Sequence, residues 1–244
     1  MYRTGKELPE RKEIEISQIT LPISNIKRKN YNDNGDFIYV DIGSIDNLKN
    51  KIVSYKIFKW KNAPSRAQQI IKLNGILFST VRTYLKNIAI VEEKFLENKV
   101  CSSGFAVIRA NSKIINHKFL FYYLISDIFI NPLNESQVGS SYPAVKDKDI
   151  FSQPIPLPPL EEQHEIVSRV EKLFALADAV EGKYQKSMQR LKKLEQSVLA
   201  KAFRGELIEP DPNDESAEEL LKKILKEKQK LQGEVKKNKK SKFE

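Results

Sequence analysis

Between Ile166 and Val198 the apolar positions keep one rhythm. Ile166, Val170, Leu173, Ala177, Val180, Tyr184, Leu191, Leu194 and Val198 are separated by steps of 4, 3, 4, 3, 4, 7, 3 and 4 residues, the long step crossing Ser187. That alternation is the a/d seam of a heptad repeat. Just before it, the proline-rich run Pro156–Leu160 forces an extended approach and then permits a helix to start. Glu161 and Glu162 follow, where acidic side chains favour a helix N-terminus. The pattern predicts a helix from Glu161 to Phe203, on the order of 65 Å long at 1.5 Å per residue. A helix of that length outruns a domain of ~150 residues, so its seam needs a second long helix. Gly182, inside the seam, marks a bend or a close crossing. Beside the seam lies a second apolar edge, formed by Val167, Phe174, Met188, Leu199 and Phe203. An isolated two-stranded coiled coil has no use for these extra positions, so they predict further burial against a partner.

Upstream, the period changes. Short apolar runs broken by polar turns predict strands near Phe37–Ile42, Ile76–Val81, Ile88–Val91 and Phe105–Ile108. Asn74-Gly75 is a turn signal ahead of the second run. One mostly buried helix is expected from Asn116, its N-cap, to about Ile130. Strands and helices do not alternate regularly enough for a doubly wound sheet, so the fold class is α+β. Downstream, Pro210–Asp214 reads as a linker. Ala217, Leu220, Leu221, Ile224, Leu225 and Leu231 predict a short amphipathic helix before a disordered lysine-rich end. Three regions result: a compact mixed domain over residues 1–156, a long helix over 157–207, and a linker, short helix and tail over 208–244.

Composition narrows the class. The chain has 244 residues, 40% hydrophobic and 30% charged, with one cysteine, Cys101, and two histidines, His117 and His164. No disulfide framework or cysteine-based zinc site follows from that, and a reducing cytoplasm is expected. Residues 1–20 show no signal peptide, and the run Phe119–Ile130 is far short of the ~20 residues a membrane span needs. The net charge of +10 suggests a polyanionic partner. Lysines 236, 237, 239, 240 and 242 supply part of that charge from the tail.

Catalytic motifs are missing. No two glycines form Gly-x-Gly, and no Walker A, Asn-Pro-Pro-aromatic or Gly-x-Ser-x-Gly motif occurs. Pro210-Asp211 and Glu234-Val235-Lys236 carry the letters of a metal-dependent nuclease core. They flank a predicted helix, however, rather than lying on adjacent strands. His117, lacking a partner, reads as a cap or surface residue.

Several of these segments resemble the specificity (S) subunits of type I restriction–modification systems. The run Ile155–Gln163 (IPLPPLEEQ) leads into the heptad helix, which closes on Leu199–Leu207 (LAKAFRGEL). Gly139–Lys146, Asn74–Arg82, Ser102–Ile108 and Pro212–Leu221 also resemble family segments, so the likeness covers nearly the whole chain. The resemblance implies a non-catalytic subunit in which a target-recognition domain reads double-stranded DNA. S-adenosylmethionine, ATP and Mg²⁺ then belong to partner subunits: the methyltransferase (M) subunits, for which the second apolar edge is the expected contact, and the restriction (R) subunits. The family's usual chain has two recognition domains and two antiparallel spacer helices; this one has one of each. It is expected either to homodimerise through an antiparallel coiled coil or to be the C-terminal half of a longer S chain, since Gly5–Pro9 resembles the segment ahead of a second recognition domain. Other readings are a piece of a fused methyltransferase-specificity protein and a homodimeric coiled-coil DNA-binding regulator. The regulator would need a helix–turn–helix or a basic region before the heptads, and neither is found.

A DNA reader needs phosphate grips and base-edge contacts. Three loops offer them. Ser79, Thr80, Arg82, Tyr84 and Lys86 follow a strand, and Arg82 can take guanine through two hydrogen bonds. Ser140, Ser141, Tyr142 and Lys146 lie beside Gly139, where backbone can approach DNA closely. Lys27, Arg28, Lys29 and Tyr31 form a basic cluster with an aromatic.

Overall fold

The computed structural model describes residues 12–135, 143–209, 213 and 215–240. One compact unit reaches to Leu176 and a second runs from Ala177.

The first unit is built around a sheet buried on both faces. Its strands are β1 (Glu13–Glu15), β2 (Thr20–Leu21), β3 (Asp36–Val40), β4 (Ile45–Asp46), β5 (Lys51–Ile52), β6 (Lys56–Lys59), β7 (Ala67–Ile70), β8 (Ile76–Ser79), β9 (Ile88–Ile90), β10 (Val100–Ser102), β11 (Phe105–Ala110) and β12 (Pro154–Pro156). The central sheet has the order β2-β11-β8-β9, all antiparallel. Alternate side chains leave it in opposite directions. Ile76, Phe78, Ile88, Ala106 and Ile108 join one core cluster. Leu77, Ala89, Phe105 and Val107 join another. Double burial explains why these strands read as unbroken apolar runs.

A second sheet, ordered β6-β3-β10-β7, packs against one face through Val40 and Cys101. Its far side carries Phe37, Tyr39, Ala67 and Val100, covered by Phe58, Trp60 and Ile26. On the other face of the central sheet lie helices α1 (His117–Leu124), α2 (Asp127–Glu135) and α3 (Asp147–Phe151). The four strands expected from the sequence are present, within two residues at each end. The single helix expected over 116–130 is two. Ser126 divides it: its Oγ donates to Tyr123 O at 2.6 Å, and its carbonyl accepts from the Phe129 and Ile130 amides. Asn116 is the N-cap of α1, accepting from the Lys118 and Phe119 amides at 2.8 and 3.2 Å.

β12 pairs with β1, setting Ile14 opposite Ile155, and the prolines of β12 sit on this short outer ribbon. The chain then enters α4 (Leu160–Phe203), 44 residues without a break. Gly182 does not interrupt it, and a Cβ there would meet nothing within 4 Å. In the first unit, Gln163 and Val167 of α4 are buried and Ile166 packs against the core. α5 (Ala217–Lys240) is longer than the short helix expected. The lysine-rich stretch to Lys240, expected to be disordered, is helical, in keeping with lysine's good helix propensity.

Candidate nucleic-acid interface

The loop after β8 is held rather than loose. Arg82 (φ 49°) and Lys86 (φ 52°) both take left-handed backbone, at either end of a 3-10 turn over Thr83–Leu85. Such a conformation is costly for a residue with a Cβ and persists only where surroundings impose it. Here they do. The Arg82 amide donates to Pro143 O at 2.8 Å, and the Asn47 and Asn50 side chains donate to the carbonyls of Leu85 and Lys86. Thr83 Oγ1 lies 2.6 Å from Asn134 Oδ1.

Two of the loop's expected DNA contacts are corrected by this geometry. Ser79 and Thr80 are buried, and their hydroxyls donate to Val81 O and Gly104 O at 2.9 and 3.0 Å. They shape the loop and face no solvent. Tyr84 is 52% exposed. Lys86 pairs with Asp127 at 2.7 Å.

The candidate segment that ends at Lys146 arrives beside this loop. Ala144 bridges Val81, and the Val145 amide donates to Thr80 O at 2.9 Å. Lys146 is exposed, with its amide on Asp149 Oδ2. Ser140, Ser141 and Tyr142 lie outside the described residues.

Arg82 also lines a cleft of about 360 Å³ with Tyr39, Asp41, Arg66, Asn87 and Ser102. Two guanidiniums thus share one opening. The carboxylate there is already engaged: Asp41 accepts from Ser44 Oγ and pairs with Lys56 at 2.5 Å. The Asp41 hydrogen bond holds the Lys56 ammonium above the ordinary lysine range. Arg66, Asn87 and Ser102 were missed by sequence reasoning. The Pro64-Ser65 turn ahead of Arg66 was the available signal.

Lys27, Arg28, Lys29 and Tyr31 form an exposed cluster on the outer side of the second sheet. Arg28 donates to Pro64 O. Tyr31 stacks on Trp60 at 4.2 Å, and Trp60 on Phe37 at 4.0 Å, so an aromatic ladder fixes the cluster to β3. Trp60 carried no sequence signal pointing to this role.

The helix seam divides. Ile166 and Val170 are half-buried, whereas Leu173, Ala177, Val180, Tyr184, Leu191, Leu194 and Val198 are exposed. The second edge divides too. Val167 is only 6% exposed and belongs to the domain core, which corrects its assignment to a partner surface. Phe174 lies edge-on to Tyr122 at 5.7 Å with about half its surface open. Met188, Leu199 and Phe203 are exposed.

Among the described residues no group of three His, Cys, Asp or Glu side chains is placed to hold a metal, and no helix is long and apolar enough to cross a membrane. Burial pushes the Cys101 thiol up to about 12, which suits a packing role. Burial lowers the His117 pKa. Glu234–Lys236 are helical, so they form no strand of a nuclease core; Pro210 and Asp211 lie outside the described residues.

Comparison with known proteins joins the domain and the helix in one match. The family model described as "Type I restriction modification DNA specificity domain" covers residues 15–188. The EcoDI specificity subunit of Escherichia coli is 38% identical over 174 residues, which are 68% of this chain and 38% of that protein. The HindI specificity subunit of Haemophilus influenzae is 27% identical over 86% of this chain and 43% of its own length. The crystal structure of the HsdS subunit from Thermoanaerobacter tengcongensis superposes with a TM-score of 0.72 at 36% identity, covering 89% of this chain and 54% of that one. The chain therefore spans about half or less of the relatives it matches.

Proposed function

We propose a function from one premise: the chain belongs to the type I restriction–modification DNA specificity family, as the match over residues 15–188 shows. Its role is to read DNA for a modification and restriction complex and to carry out no chemistry itself. The face with Arg66, Arg82, Tyr84 and the Lys27–Tyr31 cluster binds one half-site of a bipartite target. Arginine suits this work, because its planar guanidinium can meet guanine O6 and N7 together. The lysines around them supply phosphate contacts that position the domain without reading sequence.

The observation that carries the reading is the single family match running from the domain into α4. It supports the pairing of a reader with a spacer. The exposed seam from Leu173 to Val198 calls for a second helix. A second copy of the chain, packed antiparallel about a two-fold axis, satisfies both seams and brings two identical readers to an inverted repeat. A helix of about 65 Å is long enough to separate half-sites by one turn of DNA or more. The exposed part of the second edge, at Met188, Leu199 and Phe203, is left for M subunits, and R subunits complete the complex.

The test is methyl transfer. The purified chain alone should transfer no labelled methyl group, and M subunits alone should transfer little. The mixture should methylate DNA at a defined sequence. Transfer by the chain alone, or no effect of adding it to M, would overturn the proposal.

A further inference from the structure

Gln163 is fully buried in the first turn of α4, among residues that are mostly charged. A buried amide left unpaired costs about 1–3 kcal/mol, but this one is satisfied at both ends. Its Oε1 accepts from the Asn116 amide at 2.7 Å. Its Nε2 donates to Pro158 O at 2.8 Å and to Ile114 O at 3.2 Å. Pro158 belongs to the approach to α4, whereas Ile114 and Asn116 lead into α1. The side chain therefore ties two separate segments to the start of the long helix.

The tie continues along both helices. His164 Nδ1 lies 3.1 Å from Asn116 Nδ2, while Asn116 Oδ1 caps α1. Two turns further, Lys118 pairs with Glu171 at 2.5 Å. Beyond that, Tyr122 meets Phe174 edge-on. An apolar residue at 163 would fill the same space, but it would not fix direction. Hydrogen bonds weaken steeply off-axis, so three of them around one amide specify how α4 is seated on the domain.

We propose that Gln163 is a positioning residue for target recognition: it sets the seating of α4 on the reading domain, and through it the number of unread base pairs the complex accepts between half-sites. The inference rests on the bipartite function proposed above. The reading loops recognise the bases, and the α1–α4 junction measures the gap.

The experiment uses the full chain assembled with M subunits and a set of DNA targets. Both half-sites are kept, and the spacer is shortened or lengthened by one base pair. Wild type should methylate the correct spacing and discriminate against its neighbours. Gln163→Leu should lose about tenfold of that discrimination, the scale of a buried polar network broken on one side, and keep its half-site preference. If Gln163→Leu fails to fold, Lys118→Met with Phe174→Ala loosens the same junction from the half-exposed side and is judged the same way. A loss of activity in equal proportion on every spacer would mean that the residue is merely structural and would overturn the proposal. So would an unchanged spacer preference. If wild type itself shows no spacer preference, the bipartite function falls and the inference with it.

Discussion

In residues 160–176 of α4, Gln163 and Val167 are buried and Phe174 rests on Tyr122; in residues 177–203 of the same helix every side chain is exposed, Leu191 and Phe203 among them. The apolar repeat is continuous through both stretches. What differs is whether the domain has supplied the opposite surface. Near the domain, the core absorbs Ile166 and Val167, and α1 covers part of Phe174. Further along, a row of Val, Leu and Tyr residues about half exposed remains. A periodic pattern thus reports that a face will be buried, and only the tertiary structure reports by what.

The largest effect that separates the two stretches is on folding. Val167→Glu places a charge in the domain core and should cost at least about 3 kcal/mol, read as a lowered denaturant midpoint. Leu191→Glu should change the domain's stability by no more than about 0.5 kcal/mol, as exposed positions do. Equal destabilisation by both would erase the distinction.

Next comes association. Val180→Glu with Leu191→Glu should halve the mass measured by light scattering and remove binding to the two-part target, because each charge enters the proposed seam. An unchanged mass would mean that the seam is not where copies meet. Smaller again is the effect on DNA. Arg66→Ala, or Arg82→Gly, should weaken specific binding by about 1–3 kcal/mol with little change in melting temperature. Glycine suits the left-handed backbone at position 82, so that variant removes the guanidinium without straining the loop. Wild-type affinity and sequence preference in both variants would remove these two arginines from the reading surface.

The smallest effect is a pH dependence. Burial lowers the His117 pKa from its ordinary value near 6.5. A folded pKa below the unfolded one means that the stability held above the unfolded value is lost as pH falls through about 6.5 toward the folded value. Thermal melts at pH 7.5 and 5.5 should show a larger acid-induced drop for wild type than for His117→Gln. Identical drops would remove His117 from the acid response.

Legibility followed burial. The strands over Ile76–Ser79 and Phe105–Ala110 were readable because both faces are covered and the apolar runs are unbroken. β7, with Gln68 and Gln69 at its centre, and the two-residue strands β4 and β5 carry too little pattern to find. Arg82 was singled out because it follows a strand in a polar loop. Arg66, in the turn before β7, and Ser102, at the end of β10, reach the same cleft from other parts of the sequence, a juxtaposition that no local spacing encodes. Ser79 and Thr80 misled because hydroxyls in a loop look available until their acceptors are seen. Gln163 lay in plain sight within a family motif. Its work became visible only with Ile114 and Asn116 beside it.

The central claim is that one reader and one exposed seam make half of a two-fold device. Mapping the bases methylated when this chain is combined with M subunits tests it most directly. The account predicts an inverted repeat, identical half-sites separated by a fixed unread spacer. Two unrelated half-sequences would contradict it.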